Sequence, residues 1–422
     1  MKVAVITLGC KTNQAESFQW ENMLCAAGHR VVDVTENPDL CIINTCTVTS
    51  KADYQSRQLV QRALRTQAKV VVTGCYAELN HTTLKTLNKD IEIVSNSDKD
   101  TLLDLLALET PERNNPRCHY PRQRPIIKVQ DGCNYSCSYC AITLARGRSR
   151  SVPTTDVIEE VKKYEAAGYR EVVLTGIHLG TYGLDLAPQV TLSSLLISLL
   201  NATTSLRIRL SSLEVMEIND ELIDLLMNPR ICNHLHIPLQ SGADTVLKLM
   251  NRTYGTSDFI KGIERIVKVH PYIGLGTDII VGFPGEGEEE FRQTVNLIEA
   301  VPFSYIHVFP FSPRPHTKAV SFPQQVDGKT KKNRVALLRS IGEEKKKLFL
   351  EKNIGTTTDV IIEEPAEGGY IGTSSNYIRI YLEEAGGYGR LKAGMLVNTR
   401  VVGTKDSMAL GNPLKSQQLT HL

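Results

Sequence analysis

Cys133, Cys137 and Cys140 stand in the run DGCNYSCSYCAI, spaced C-x3-C-x2-C, with Tyr139 just before the last cysteine. Three thiolates on one short loop suit three irons of a [4Fe–4S] cluster and leave the fourth iron without a protein ligand. An open iron lets a cluster bind and activate a small molecule as well as carry electrons. Structural zinc sites take four protein ligands and arrive as C-x2-C pairs, a poor match to this triad. Buried free cysteines are common in cores, but three within eight residues on a polar loop do not look like core packing.

A second set is dispersed. Cys10 lies in TLGCKTNQAES, Cys46 in INTCTVTS and Cys75 in VTGCYAE. Each follows an apolar, strand-like run: KVAVITL, LCIINTC and KVVVTGC. Parallel sheets present ligands at the carboxyl ends of their strands. Three thiols at three such ends therefore predict a second three-cysteine site. Cys25, Cys41, Cys118 and Cys232 are expected to be packing or incidental residues.

These cysteines need a scaffold. Residues 1–110 alternate strand-like and helix-like segments, which predicts a parallel α/β sheet with crossover helices. Residues 111–125, rich in Pro and Arg without periodicity, form an expected linker carrying Arg113, Arg117, Arg122 and Arg124. From residue 126 a second series of six βα units begins, and Cys133 follows its first strand. A charged helix over about 330–353 closes this part. Residues 354–422 switch to short strands with Gly-rich turns, which predicts a small all-β barrel.

The C-x3-C-x2-C motif with its aromatic resembles the radical S-adenosylmethionine (SAM) enzymes. Together with TLGCKTNQAES, INTCTVTS and TGCYAE, and a tail that resembles the TRAM RNA-binding module, the chain resembles the radical SAM methylthiotransferases. The form GCKTNQAES is similar to the branch acting on N6-threonylcarbamoyladenosine in tRNA. Sister branches act on isopentenyladenosine in tRNA or on an aspartate of a ribosomal protein, and both remain as alternatives. A reading in a different class is an RNA-binding scaffold with structural iron–sulfur clusters. The resemblance implies an α/β protein: a methylthiotransferase domain over 1–110, a partial (βα)6 radical SAM barrel over 126–353 and a TRAM barrel over 354–422. It implies SAM and two [4Fe–4S] clusters, on Cys133, Cys137 and Cys140 and on Cys10, Cys46 and Cys75. It further implies methylthiolation at C2 of adenosine 37 in the tRNA anticodon stem-loop. An electron donor such as flavodoxin or ferredoxin and a monomeric, cytoplasmic protein go with that activity. Tyr139, Gly176, Glu214, His236, Gln240 and Asp278 are candidate SAM contacts. His178, His307 and His316 are set aside. Two positions depart from the family pattern: His316 stands where glycine is expected, and Gly287 where threonine is usual.

The composition agrees with a folded, non-membrane protein. It is 41% hydrophobic and 22% charged, with 48 basic against 46 acidic residues, a net charge of +2. No stretch of 18 apolar residues and no signal peptide is apparent. With so little net charge, RNA affinity must come from local patches. Candidates are Arg146, Arg148 and Arg150 just after the cluster loop, and Tyr377, Arg379 and Tyr381, which alternate as on a strand face.

Overall fold

The computed structural model describes residues 1–108, 122–383 and 391–414. Arg113, Arg117 and Cys118 lie outside the described residues. Five parallel strands open the chain: β1 (Lys2–Thr7), β2 (Arg30–Val31), β3 (Leu40–Thr45), β4 (Lys69–Gly74) and β5 (Glu92–Ile93). Their order is β2-β1-β3-β4-β5, a doubly wound arrangement whose switch point falls between β1 and β3. Successive residues go to opposite faces. Ala4, Cys41, Ile43 and Val72 pack on one side, and Val3, Ile42 and Val71 with Trp20 and Leu24 on the other. Both faces are covered, so the strands read as continuous apolar runs.

A short antiparallel pair, β7 (Gln130–Asp131) with β8 (Arg150–Ser151), follows β6 (Ile126–Lys128) and brackets the Cys133–Cys140 loop. Parallel strands then continue as β9 (Glu171–Thr175), β10 (Arg207–Leu210), β11 (His234–His236), β12 (Gly274–Val281) and β13 (Tyr305–Pro310). Sheets β10-β9-β6 and β11-β12-β13 are joined by bridges Ile208–Ile231 and Ser212–His236. The result is six parallel strands curved into an unclosed barrel, as the six βα units predict. The helix Lys11–Ala26 packs on β6 at one edge and also on β1. Outward residues Val172, Leu174, Ile208 and Leu210 pack on the surrounding helices with Val157, Leu195 and Leu199. The alternate residues Glu171, Arg207 and Arg209 point inward and are buried.

After the helix Gly328–Lys352, five strands close into a barrel, β14-β15-β16-β18-β17. They are β14 (Thr357–Ala366), β15 (Gly369–Ser374), β16 (Arg379–Glu383), β17 (Leu396–Lys405) and β18 (Met408–Pro413). This small barrel docks on the inward arginines. Arg207 donates to the carbonyls of Asp359 (2.8 Å) and Thr373 (3.1 Å), and Arg209 to those of Ser374 (2.9 Å) and Ser375 (3.1 Å). Both guanidiniums are held by Glu171, at 2.5 Å and 2.7 Å. Cys41 and Cys232 are buried among packing residues. No described helix is long and apolar enough to cross a membrane.

Candidate functional site

Cys10, Cys46 and Cys75 follow β1, β3 and β4, which are neighbours in the sheet, so their loops converge beside the switch point. Two glycines permit the approach. Gly9 has φ +121°, and a Cβ there would lie 2.9 Å from Cys46 Cβ and 3.1 Å from its sulfur. Gly74 has φ +98°, and a Cβ would lie 2.3 Å from the Thr45 carbonyl. Neither position tolerates a side chain.

The remaining motif letters build the support. Asn13 donates to the carbonyls of Leu8 (2.8 Å) and Thr45 (3.0 Å), tying the first two cysteine loops together. Asn44 donates to Asn13 O (3.0 Å) and Glu16 Oε2 (3.1 Å). Glu16 is buried and receives Lys99 Nζ at 2.6 Å and Arg146 Nη1 at 2.9 Å. Burial alone would raise its carboxyl, but Lys99, Arg146 and Lys128 outweigh that and hold it well below the carboxylate range. Arg146 also pairs with Asp131 at 2.8 Å and aims Nε at Cys75 Sγ, 3.3 Å away. This corrects the expectation that Arg146 meets RNA. It is buried and fully used inside the protein. Arg148 and Arg150 are exposed.

The second triad sits on the loop between β7 and β8. Cys133 N donates to Gly147 O (3.1 Å), Tyr135 N to Cys133 Sγ (3.4 Å) and Cys140 N to Cys137 O (3.1 Å), which folds the loop around its sulfurs. Arg252 Nη1 lies 3.4 Å from Cys137 Sγ, and its Nη2 pairs with Glu214. Glu214 is thus engaged by an arginine that reaches a cysteine. His178, set aside from sequence, places Nδ1 at 3.5 Å from Cys133 Sγ and faces Glu217 with Nε2. Gln130 locks the same corner. Its amide donates to Gly132 O (2.8 Å) and Ser149 Oγ (2.9 Å) and accepts from His178 N (2.8 Å). A Cβ on Gly176 would lie 2.6 Å from Gln130 Oε1, so glycine there makes room for this lock. His178 and Arg252 were missed because each arrives from another segment, with no local spacing to mark it, and Gln130, three residues before Cys133, because an amide carries no motif of its own.

Both triads fit cluster ligation. Each offers three sulfurs and a guanidinium aimed at one of them, a donor that suits an anionic thiolate. Burial pushes Cys46 and Cys140 up to about 12 and also raises Cys75 and Cys137, with Arg146 and Arg252 opposing it at the last two. Such thiols keep their protons at neutral pH until a metal displaces them.

Beside the cluster loop lies an open cleft that Cys140 helps to line. Thr47, Val48 and Thr49 beyond Cys46 line it on one side, and Tyr139 and Cys140 on the other. Gln240, Asp278 and Arg314 complete it. Arg314 bridges the domains by donating to Asp53 at 2.6 Å. Tyr139 packs edge-on against Phe283, its ring centroid 6.3 Å away.

Asp278 accepts from His236 Nε2 and His307 Nδ1, each at 3.1 Å. Tyr305 Oη bonds His236 Nδ1 (3.1 Å) and His234 Nε2 (2.9 Å). Burial, with Arg209 and Lys11 nearby, lowers His234 well below its usual value, so it is neutral. The pattern then assigns a relay: His234 Nε2–H to Tyr305, Tyr305 O–H to His236, His236 Nε2–H to Asp278. His236 at the carboxyl end of β11, Gln240 beyond it and Asp278 within β12 are thus brought together.

Tyr377 corrects a second expectation. It lies in the turn before β16 at φ +69° and stacks on His234 at 4.4 Å, facing into the large barrel. Arg379 is on β16 and ion-pairs with Glu363 and Glu364, each at 2.5 Å. The departures at loops are explained locally. His316 adopts φ +66°, where glycine is easiest. Gly287 caps the helix Glu288–Ala300, a position suited to a threonine hydroxyl.

Comparison with known proteins agrees with this geometry. Residues 127–298 match the model of the Radical SAM superfamily, and residues 2–96 that of the Uncharacterized protein family UPF0004. The threonylcarbamoyladenosine tRNA methylthiotransferase MtaB of Aquifex aeolicus is 37% identical over 384 residues, 86% of this chain and 93% of that protein. Its namesake from Bacillus subtilis is 35% identical over 404 residues, 90% and 89%. This chain belongs to the radical SAM methylthiotransferases, in the threonylcarbamoyladenosine tRNA branch. The tRNA-2-methylthio-N(6)-dimethylallyladenosine synthase of Syntrophobacter fumaroxidans, from the sister branch, is 33% identical over 392 residues, 86% of this chain and 85% of that one. Among solved structures, the radical S-adenosylmethionine methyltransferase TsrM from Kitasatospora setae shares the fold (TM-score 0.56, 16% identity, 76% and 77% covered).

Proposed function

We propose that this chain replaces the C2 hydrogen of N6-threonylcarbamoyladenosine, at position 37 in a tRNA anticodon stem-loop, with a methylthio group. The observation that carries this reading is the pair of cysteine triads, each with an arginine donating to one of its sulfurs, with Cys140 of one and the loop beyond Cys46 of the other lining one cleft. Cys133, Cys137 and Cys140 would hold the [4Fe–4S] cluster that binds SAM, and Cys10, Cys46 and Cys75 the second. When bound, SAM and the clusters supply the radical that removes the hydrogen and the methylthio group that takes its place. Arg252 and Arg146 each donate to one cysteine sulfur, stabilising thiolate character on either side of the cleft. Gln130 and Glu214 fix the loop and the arginine that frame the triad of Cys133, Cys137 and Cys140. Arg314 holds the Thr47 loop against the β13 end, so the two sulfur sites keep one separation. His236 and Gln240 at the end of β11 and Asp278 within β12 would orient the adenine or SAM.

In this reading residues 1–110, 126–353 and 354–422 are the methylthiotransferase, radical SAM and TRAM units, joined by 111–125. The protein is a cytoplasmic monomer that takes electrons from a small carrier such as flavodoxin or ferredoxin. Anaerobic reconstitution tests the division of labour. Wild-type protein should bind about eight irons per chain, four per cluster, and form 5′-deoxyadenosine from SAM and reductant. C10A, C46A and C75A should bind about four and still form it, without methylthiolating RNA. C133A should bind about four and form none. A wild-type count of about four irons, or 5′-deoxyadenosine from C133A, would overturn the assignment.

A further inference from the structure

The inner face of the large barrel carries a column of rings. Tyr377 stacks on His234 and lies 5.6 Å from Tyr305, which faces His307 at 5.2 Å. Two cations meet the Tyr377 ring: the Arg209 guanidinium carbon at 5.2 Å and Lys11 Nζ at 5.9 Å from its centroid. They differ in their partners. Arg209 is neutralised by Glu171 and donates to two carbonyls. Lys11 is partly buried, and among the described residues it has no acid within ion-pair distance and no hydrogen-bond acceptor. The acids whose charge acts on it, Glu171 and Asp278, are taken: one by Arg207 and Arg209, the other by His236 and His307.

A partly buried ammonium beside a ring and a second cation, with no counter-ion of its own among the described residues, carries a cost that an incoming anion relieves. Lys11 directly follows Cys10, so its stem starts at the triad that faces the reacting carbon. On adenine, C2 and C6 flank N1. A base presenting C2 to that triad therefore carries its N6 substituent along the neighbouring side. Resting on the function proposed above, we propose that Lys11 receives the carboxylate of the threonylcarbamoyl group, with the Tyr377 ring packed beneath that substituent. Lys11 is then a specificity residue. It selects a base bearing an acid over one bearing a hydrocarbon chain, because an apolar substituent leaves the ammonium unmet.

The test compares two synthetic anticodon stem-loops, one with N6-threonylcarbamoyladenosine and one with its threonine methyl ester. Reconstituted holoenzyme is assayed for kcat/KM by mass spectrometry of the methylthiolated product. Wild-type enzyme should prefer the acid by about 10- to 100-fold, the scale of one charge-assisted hydrogen bond. K11Q should bring that ratio near unity, and K11R should keep much of it. The ratio is internal to each enzyme, so a loss of folded protein or of iron leaves it unchanged. A wild-type ratio near unity overturns the proposal. So does K11Q that retains the wild-type ratio while losing activity on both RNAs, the result expected if Lys11 meets a backbone phosphate. Wild-type enzyme that leaves both stem-loops unmodified yet methylthiolates isopentenyladenosine overturns the functional reading itself.

Discussion

Arg146 gathers more of the site than any single cysteine does. Its guanidinium touches Glu16, Asp131, Asn13 and the Cys75 sulfur, so it joins the first helix, the cluster loop and the triad of Cys10, Cys46 and Cys75. R146M should leave Asp131 with only the longer contacts to Lys128 and Arg150, and Glu16 with only its lysines, in a buried setting. Breaking such a pair typically costs about 3–5 kcal/mol. We expect a lower midpoint in urea denaturation and a fall toward four irons per chain, since the Cys75 thiol loses its donor. Unchanged stability with full iron would contradict this role. At this scale the six cysteines were legible because their spacing and strand-end positions are local signals. Arg146 was legible as a charge, and its burial was not. Its partners Glu16 and Asp131 are brought to it by helix packing and by the β7–β8 pair, and neither leaves a pattern within ten residues of Arg146.

Among the elements, β9 and β10 decide how the small barrel is held. Their inward residues Glu171, Arg207 and Arg209 form a buried charge cluster whose spare donors reach the carbonyls of the C-terminal barrel. Burial alone would raise Glu171, but Arg207, Arg209 and Arg124 outweigh it and hold the carboxyl well below its usual range. A depressed folded pKa contributes stability above the unfolded value of about 4.3, and that contribution is lost as pH falls. Wild-type stability should therefore drop on acidification below about pH 5 more steeply than that of E171Q. At pH 7 E171Q should be the weaker protein by roughly 3–5 kcal/mol. Parallel pH slopes for the two proteins in urea titrations would contradict the assignment. The strands themselves were readable from their β-branched runs. RIRL reads equally as an exposed alternating strand, and only the docked barrel explains charges on its inner side. The Tyr377–Arg379–Tyr381 alternation misled because the chain turns through a positive φ at Tyr377 and the strand begins two residues later.

Across the whole molecule, the three folded parts share side chains rather than merely adjoining. The helix Lys11–Ala26 leaves the first triad, supports the N-terminal sheet and lies along the edge of the large barrel, where Lys11 meets Tyr377 of the small one. Arg314 and Asp53 link the other side of the cleft. A net charge of only +2 leaves selection of RNA to shape and to local groups near the cleft. The order of folded parts was legible from composition shifts. The way they interlock was not, because it depends on single residues that meet across long stretches of chain, from 71 positions for Arg146 and Cys75 to 261 for Arg314 and Asp53. The account's central claim concerns one product, and mass spectrometry of tRNA nucleosides measures it directly. Cells lacking this protein should lose 2-methylthio-N6-threonylcarbamoyladenosine and accumulate N6-threonylcarbamoyladenosine, with recovery by the wild-type chain and not by C10A. Persistence of the methylthio form in those cells, or its return with C10A, would contradict the claim.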